Sequence, residues 1–134
     1  MKYGTLVVEK REYSLIKKML LQAPQKADSI FARSVEKLSS ELKLAQMLTE
    51  DEMPEDIVRL NSTVTIQVPQ NKQKTLQIVL PSESNIAQNK ISILAPMGLA
   101  LFGYAKDDSV MWEFPSGMNK IKILQVLQHQ VESL

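Results

Sequence analysis

At 134 residues, with 44% hydrophobic and 23% charged side chains, the chain suits one domain, or one small domain with an appendage. It has no cysteine, which excludes disulfides and thiolate metal sites, and no apolar run approaches the roughly 18 residues of a membrane span. The net charge of +1 is divided unevenly: residues 1–48 hold nine Lys/Arg against five Asp/Glu, and the remainder seven against ten. Such asymmetry predicts two structural units with different faces. A basic half can bind nucleic acid, but these charges also fall where helices expose side chains to water, and no direct sequence-specific nucleic-acid contact is expected. The first residues offer only Leu6-Val7-Val8 as an apolar run, too short for a secretory signal, so a soluble cytoplasmic protein is expected.

Gly4 to Val8 reads as an extended lead-in. From Glu9 to Leu21 the residues Tyr13, Ile16 and Leu20 recur at steps of three and four, and Leu15 and Met19 widen the stripe. That spacing predicts a helix. Pro24, in Gln22-Ala23-Pro24-Gln25, interrupts it, because proline lacks the N–H and its ring clashes with a continuing helix. A second helix is predicted from about Asp28 to Leu48, with Phe31, Val35, Leu38, Leu42 and Ala45 forming an a/d seam. Asp28 is placed where a carboxylate accepts from unpaired N–H groups. Two amphipathic helices joined by a short linker read as an antiparallel coiled-coil hairpin over residues 1–48. Its seam is expected to include Ile16, Leu20, Phe31, Val35, Leu38 and Leu42.

Thr49 to Asp56 reads as an acidic connector: Thr49 and Glu52 have the spacing of a capping box, but Pro54 limits any helix to a turn. The apolar period then drops to two. Val64, Ile66 and Val68 alternate with polar residues, as do the residues of Thr75 to Leu80. Ile91 to Leu94, Val110 to Phe114 and Ile121 to Leu127 are further predicted strands. Breakers between them predict a mainly antiparallel sheet over residues 49–134. Pro96 to Phe102 is richer in helix formers and predicts a short helix over one sheet face, ended by Gly103. Ile66, Leu76, Ile78, Ile93, Leu101, Trp112 and Ile123 are the expected core. The fold class is α+β.

Catalytic constellations are absent from the sequence. One histidine, His129, in a polar segment, cannot build a metal cluster or a dyad with a cysteine the chain lacks. The four glycines form no phosphate-binding loop. Asp107-Asp108 reads as a turn before a strand. The cluster of Glu50, Asp51, Glu52, Glu55 and Asp56 reads as a solvated linker rather than a cation site. Tyr104, Trp112 and Phe114 read as packing residues. No cofactor, metal ligand or catalytic residue is expected.

Two stretches carry a family resemblance. One is Met53-Pro54-Glu55-Asp56-Ile57-Val58-Arg59-Leu60-Asn61-Ser62-Thr63-Val64. The other runs from Ile91 to Val110 and contains Ile91-Ser92, Pro96, Gly98, Ala100-Leu101 and Gly103 in order. Both resemble the carboxy-terminal domain of the Gre transcript-cleavage factors, and more closely their Rnk-like relatives, the regulators of nucleoside diphosphate kinase. The resemblance implies an FKBP-like antiparallel β-sheet domain with one short helix, bearing an amino-terminal coiled-coil hairpin. It implies RNA polymerase as the partner, with docking at the rim of the secondary channel and competition with Gre-type factors. Ala95, Pro96, Met97 and Gly98 are the implied docking loop. Cleavage factors commonly have serine where this chain has Ala95, and many members have Gly-Asp where it has Asp107-Asp108. Aspartate tolerates the left-handed conformation, so that turn is expected to survive.

In the cleavage factors an acidic hairpin tip helps hold a catalytic magnesium ion, which needs closely spaced carboxylates. The residues at this bend are Gln22, Pro24, Gln25, Lys26 and Asp28, one carboxylate beside a lysine. A first helix of about 13 residues spans roughly 20 Å, less than half the reach of a full-length cleavage factor. The expected function is a non-catalytic regulator bound near the secondary channel that modulates access by other factors. The alternatives are a cleavage or elongation factor of Gre type, a peptidyl-prolyl isomerase by fold analogy alone, and a hairpin-mediated interaction protein with another target.

Overall fold

The computed structural model describes residues 1–23 and 29–129. Strand β1 (Val7–Glu9) runs without a linker into helix α1 (Lys10–Gln22). Glu9 serves both elements. It ends the strand, and its carboxylate accepts from the N–H groups of Arg11 at 2.7 Å and Glu12 at 3.3 Å, donors a first helical turn leaves unpaired. Helix α2 (Ile30–Lys43) is capped by Ser29, whose hydroxyl accepts from Ala32 N–H at 3.0 Å. The cap expected at Asp28 lies outside the described residues.

Helix α2 stops at Lys43, not at Leu48. The N–H groups of Leu44 and Ala45 close back on Glu41 and Leu42, and Gln46–Leu48 forms strand β2, parallel to β1 in the register Val7↔Gln46, Val8↔Met47 and Glu9↔Leu48. Apolar spacing within residues 28–48 cannot reveal this ending, because the pairing partner lies some forty residues earlier.

The larger sheet contains β3 (Thr63–Val68), β4 (Lys72–Val79), β5 (Lys90–Ser92), β6 (Ser109–Phe114) and β7 (Gly117–Leu127), in the order β5-β4-β3-β7-β6. All its pairs are antiparallel except β4 with β5. A bulge between Thr65 and Ile66 resets the β3–β7 register. The β3–β4 turn places Gln70 and Asn71 at positive φ, and Gly117 opens β7 at φ 115°. Helix α3 (Pro96–Leu101) lies between β5 and β6, where the sequence places it.

One face of the sheet supplies Val64, Ile66, Leu76, Ile78, Val110, Trp112, Ile121 and Ile123 to a core that α2 fills with Val35, Leu38 and Leu42, and α3 with Leu99 and Leu101. All seven expected core residues are buried. Of the expected seam, Ile16, Leu20, Val35, Leu38 and Leu42 are buried and Phe31 half-buried. Residues on both sides of position 48 therefore share one core. Among the described residues no helix is long and apolar enough to cross a membrane.

Leu38 is wholly buried beneath the sheet. Leu38→Ala is expected to lower unfolding free energy by about 2–5 kcal/mol through lost burial and a residual cavity. Urea denaturation measures it, and an unchanged midpoint would contradict this packing.

Candidate functional site

The segment from Ser92 to Gly103 is a tight strand–turn–helix. Ile93 is wholly buried and its N–H donates to Val79 C=O at 2.8 Å, prolonging the hold of β5 on β4. Ser92 then organises the turn: its hydroxyl accepts from Leu94 N–H at 3.0 Å and its carbonyl from Ala95 N–H at 2.9 Å. Ala95 occupies the cap position of α3 with the extended backbone of a cap (φ −70°, ψ 157°) but has no side-chain oxygen to use there. Pro96 follows at the first helical position, where its missing N–H costs nothing.

Gly98 is required by distance. A Cβ at this position would stand 2.4 Å from Ser92 O and 2.8 Å from both Ile93 Cα and Ile93 O. Only glycine lets this six-residue helix lie directly on the strand that precedes it. The helix ends at Phe102, and Gly103, at φ 83°, turns the chain so that its N–H reaches Val58 C=O at 3.0 Å and its carbonyl accepts from Val7 N–H at 3.2 Å.

This arrangement revises the expected docking loop. Pro96, Met97 and Gly98 are the first turn of a helix and not a loop before one, because proline favours this position and Gly98 permits the close packing. Pro96 is exposed, Ala95 and Met97 are half-buried, and Gly98 is buried. Met97 also packs on the core. The accessible surface of the turn thus centres on Pro96, and none of its four residues is titratable. Of the expected hairpin tip, Gln22 is the exposed last residue of α1, while Pro24, Gln25, Lys26 and Asp28 lie outside the described residues.

The turn of Asp107-Asp108 survives as expected. Asp107 takes φ 73°, and Asp108 accepts from Ala105 N–H at 2.8 Å and from Lys2 N–H at 2.6 Å. His129 is exposed, its ring Nε2 2.5 Å from Thr63 Oγ1. Trp112 and Tyr104 are buried packing residues, and Phe114 is half-buried against the core.

Sequence reasoning missed the charged node around Arg59. Its guanidinium reaches Glu12 Oε2 through Nε at 3.2 Å and Nη2 at 2.8 Å, and Glu50 through Nη1 at 2.6 Å and Nη2 at 2.9 Å. Glu9 lies 4.0 Å away. Burial pushes the Glu12 carboxyl above its ordinary range, against the pull of Arg59. Hydrogen bonding to Arg59 holds Glu50 below that range, and the carboxylates hold the guanidinium protonated. Glu50, still exposed as expected of the connector, is thus engaged by Arg59, and the half-buried Asp56 meets Lys2 and the Tyr3 hydroxyl. The available signal was an arginine set in the apolar run Ile57-Val58-Arg59-Leu60, where a cation needs partners.

A groove of about 620 Å³ lies between α1 and α2, lined by Tyr13, Lys17, Leu20, Val35, Ser39 and Leu42 among others. Among the described residues no set of three or more His, Cys, Asp or Glu side chains could hold a metal ion.

A family model described as transcription elongation factor GreA/GreB, C-terminal, matches residues 53–128. The regulator of nucleoside diphosphate kinase of Escherichia coli (strain K12) is 34% identical over 98 residues, which cover 72% of this chain and 71% of that protein. Transcription elongation factor GreA of Legionella pneumophila (strain Corby) is 38% identical over 100 residues, 73% of this chain and 62% of that one. Among solved structures, the prokaryotic transcription elongation factor GreA/GreB from Nitrosomonas europaea aligns with a TM-score of 0.73 at 27% identity, over 93% of this chain and 99% of that one.

Two substitutions test the turn in opposite directions. Gly98→Ala is expected to destabilise the fold by about 1–3 kcal/mol, since backbone must move to admit the methyl group. Ala95→Ser supplies the missing cap oxygen and is expected to stabilise by about 1 kcal/mol. Urea midpoints of both against the parent decide it, and a neutral Gly98→Ala would contradict the close approach.

Proposed function

The chain belongs to the GreA/GreB family of transcription elongation factors, and from this we propose that it is a non-catalytic regulator that docks on RNA polymerase near the secondary channel and modulates access by other channel-binding factors. In this reading residues 1–48 are a short coiled-coil hairpin and residues 49–134 an FKBP-like domain of Gre type. The observation that carries the reading is the strand–turn–helix at Ser92–Gly103. A rigid sheet and a glycine contact hold it while Pro96 faces solvent. Binding elements are commonly short connections fixed on a rigid scaffold. Ala95 and Pro96 give it a stiff surface, and Met97 an adaptable apolar edge.

Two features favour regulation over transcript cleavage. Holding magnesium at a distant active centre needs paired carboxylates at the hairpin's far end, and the bend offers Asp28 beside Lys26. Helix α1 has 13 residues, a reach of about 20 Å. A relative that is itself named a regulator agrees with this reading. The docking contact then blocks or delays other factors by occupancy alone, so no residue of this chain takes part in bond cleavage.

Co-purification with core RNA polymerase tests the docking. The parent chain is expected to be retained, whereas Pro96→Glu and Met97→Glu place a charge in a contact and are expected to weaken binding tenfold or more while the fold persists by circular dichroism. Wild-type protein added to backtracked complexes is expected to slow cleavage by a true cleavage factor and to release no short RNA alone. Full retention of both folded variants would remove the turn from the interface, and RNA release by the wild type would overturn the non-catalytic reading.

A further inference from the structure

The two helices are fastened to the rest of the chain by different groups. Along α2, Arg33 forks onto Glu113 of β6 at 2.8 and 2.9 Å, and Ser34 accepts from the Trp112 indole N–H at 3.1 Å. Lys37 stands 4.2 Å from the Trp112 ring centroid, and Glu41 accepts from the Tyr104 hydroxyl at 2.5 Å. These ties, from Arg33 to Glu41, run along about two turns of the helix and do not involve Arg59. Helix α1 is tied at its first turn, where Glu12 accepts from the Arg59 fork and from Leu60 N–H at 3.2 Å.

Arg59 is suited to more than neutralisation. Its side chain is only 14% exposed, and its fork uses two edges on two elements, Glu12 of α1 and Glu50 of the turn after β2. A planar guanidinium sets the relative orientation of both carboxylates, which a lysine, as a point charge, does not. Three carboxylates, Glu9, Glu12 and Glu50, face this one cation, with Arg11 at their outer side. Take the fork away and these like charges repel at the place where α1 leaves β1.

We infer that Arg59 is a positioning residue, which sets the angle of α1 against the sheet and so the place of the helix's far end relative to the Pro96 turn. The consequence, that hairpin and turn meet one partner at a fixed separation, rests on the polymerase-docking reading. The geometry is a property of the free chain and is tested there.

The chain has no cysteine and a single tryptophan, Trp112. Spin labels can therefore be placed at will in the full chain, and the Trp112 emission reports how α2 is seated. The labelled pair Leu21→Cys with Gln125→Cys, both at exposed sites, measures α1 against the sheet, and Ser40→Cys with Gln125→Cys measures α2. Electron–electron resonance of the parent is expected to give one narrow distance for each pair. Arg59→Lys and Glu50→Gln, which keep or relieve charge and are chosen because Arg59→Gln could unfold the chain, are expected to broaden the α1 distance. The α2 distance and Trp112 emission should stay unchanged. A broad α1 distance in the parent, or a narrow one in both variants, would overturn the inference. In competition with a cleavage factor on polymerase, Arg59→Lys is expected to lose potency severalfold while still co-purifying. Pro96→Glu should instead lose co-purification with both distances intact. Failure of the parent to bind polymerase would remove the functional reading and leave the distances to judge Arg59.

Discussion

One face of the five-stranded sheet carries Val64, Ile66, Leu76, Ile78, Val110, Trp112, Ile121 and Ile123, and water must be kept from it. Burying each such side chain contributes on the order of 1.5–3 kcal/mol, so whatever covers this face is part of the fold. The cover is α2 and α3. Helix α2 supplies Val35, Leu38 and Leu42, and the six-residue α3 lies close enough on β5 that Gly98 has no room for a side chain. The helical pair is consequently built into the body at its base and is not an arm on a tether.

Polar groups make the same connections where apolar contact runs out. The buried polar residues Glu9, Ser34, Ser62 and Asp108 each join segments far apart in the chain or close an exposed end of backbone. Glu9 caps α1, and Ser34 receives the Trp112 indole from β6. Ser62 accepts from Arg59 N–H and donates to Gln128, while Asp108 binds the backbone of Ala105 and Lys2. Buried polar atoms without partners are costly, which is why each of these is engaged. Arg59 extends the pattern to a cation: its cost of burial is offset by carboxylates on two elements.

For a member of the GreA/GreB family this architecture separates two surfaces with different physics. The Pro96 turn is apolar, small and free of titratable side chains. The helical pair is basic, and residues 1–48 carry four more cations than anions. A partner read by the first is read through shape and apolar contact, and by the second through charge, which salt screens.

The sequence by itself determined what periodicity and local chemistry encode. Residues spaced at three and four located both helices, the strand patterns located the five strands of the larger sheet, and the seven apolar residues expected in the core are buried. The left-handed turn at Asp107 and the short helix after Pro96 were likewise legible, because proline, glycine and aspartate act on their own backbone. The motifs were enough to point to the family. Tertiary structure alone decided the rest. Helix α2 yields to β2 at Gln46 because β1 offers a pairing edge, Glu50 in the exposed connector is engaged because Arg59 is within reach, and Gly98 is buried because Ser92 and Ile93 lie beneath it. Each depends on residues distant in sequence or on a gap between two elements, and linear spacing carries no measure of either.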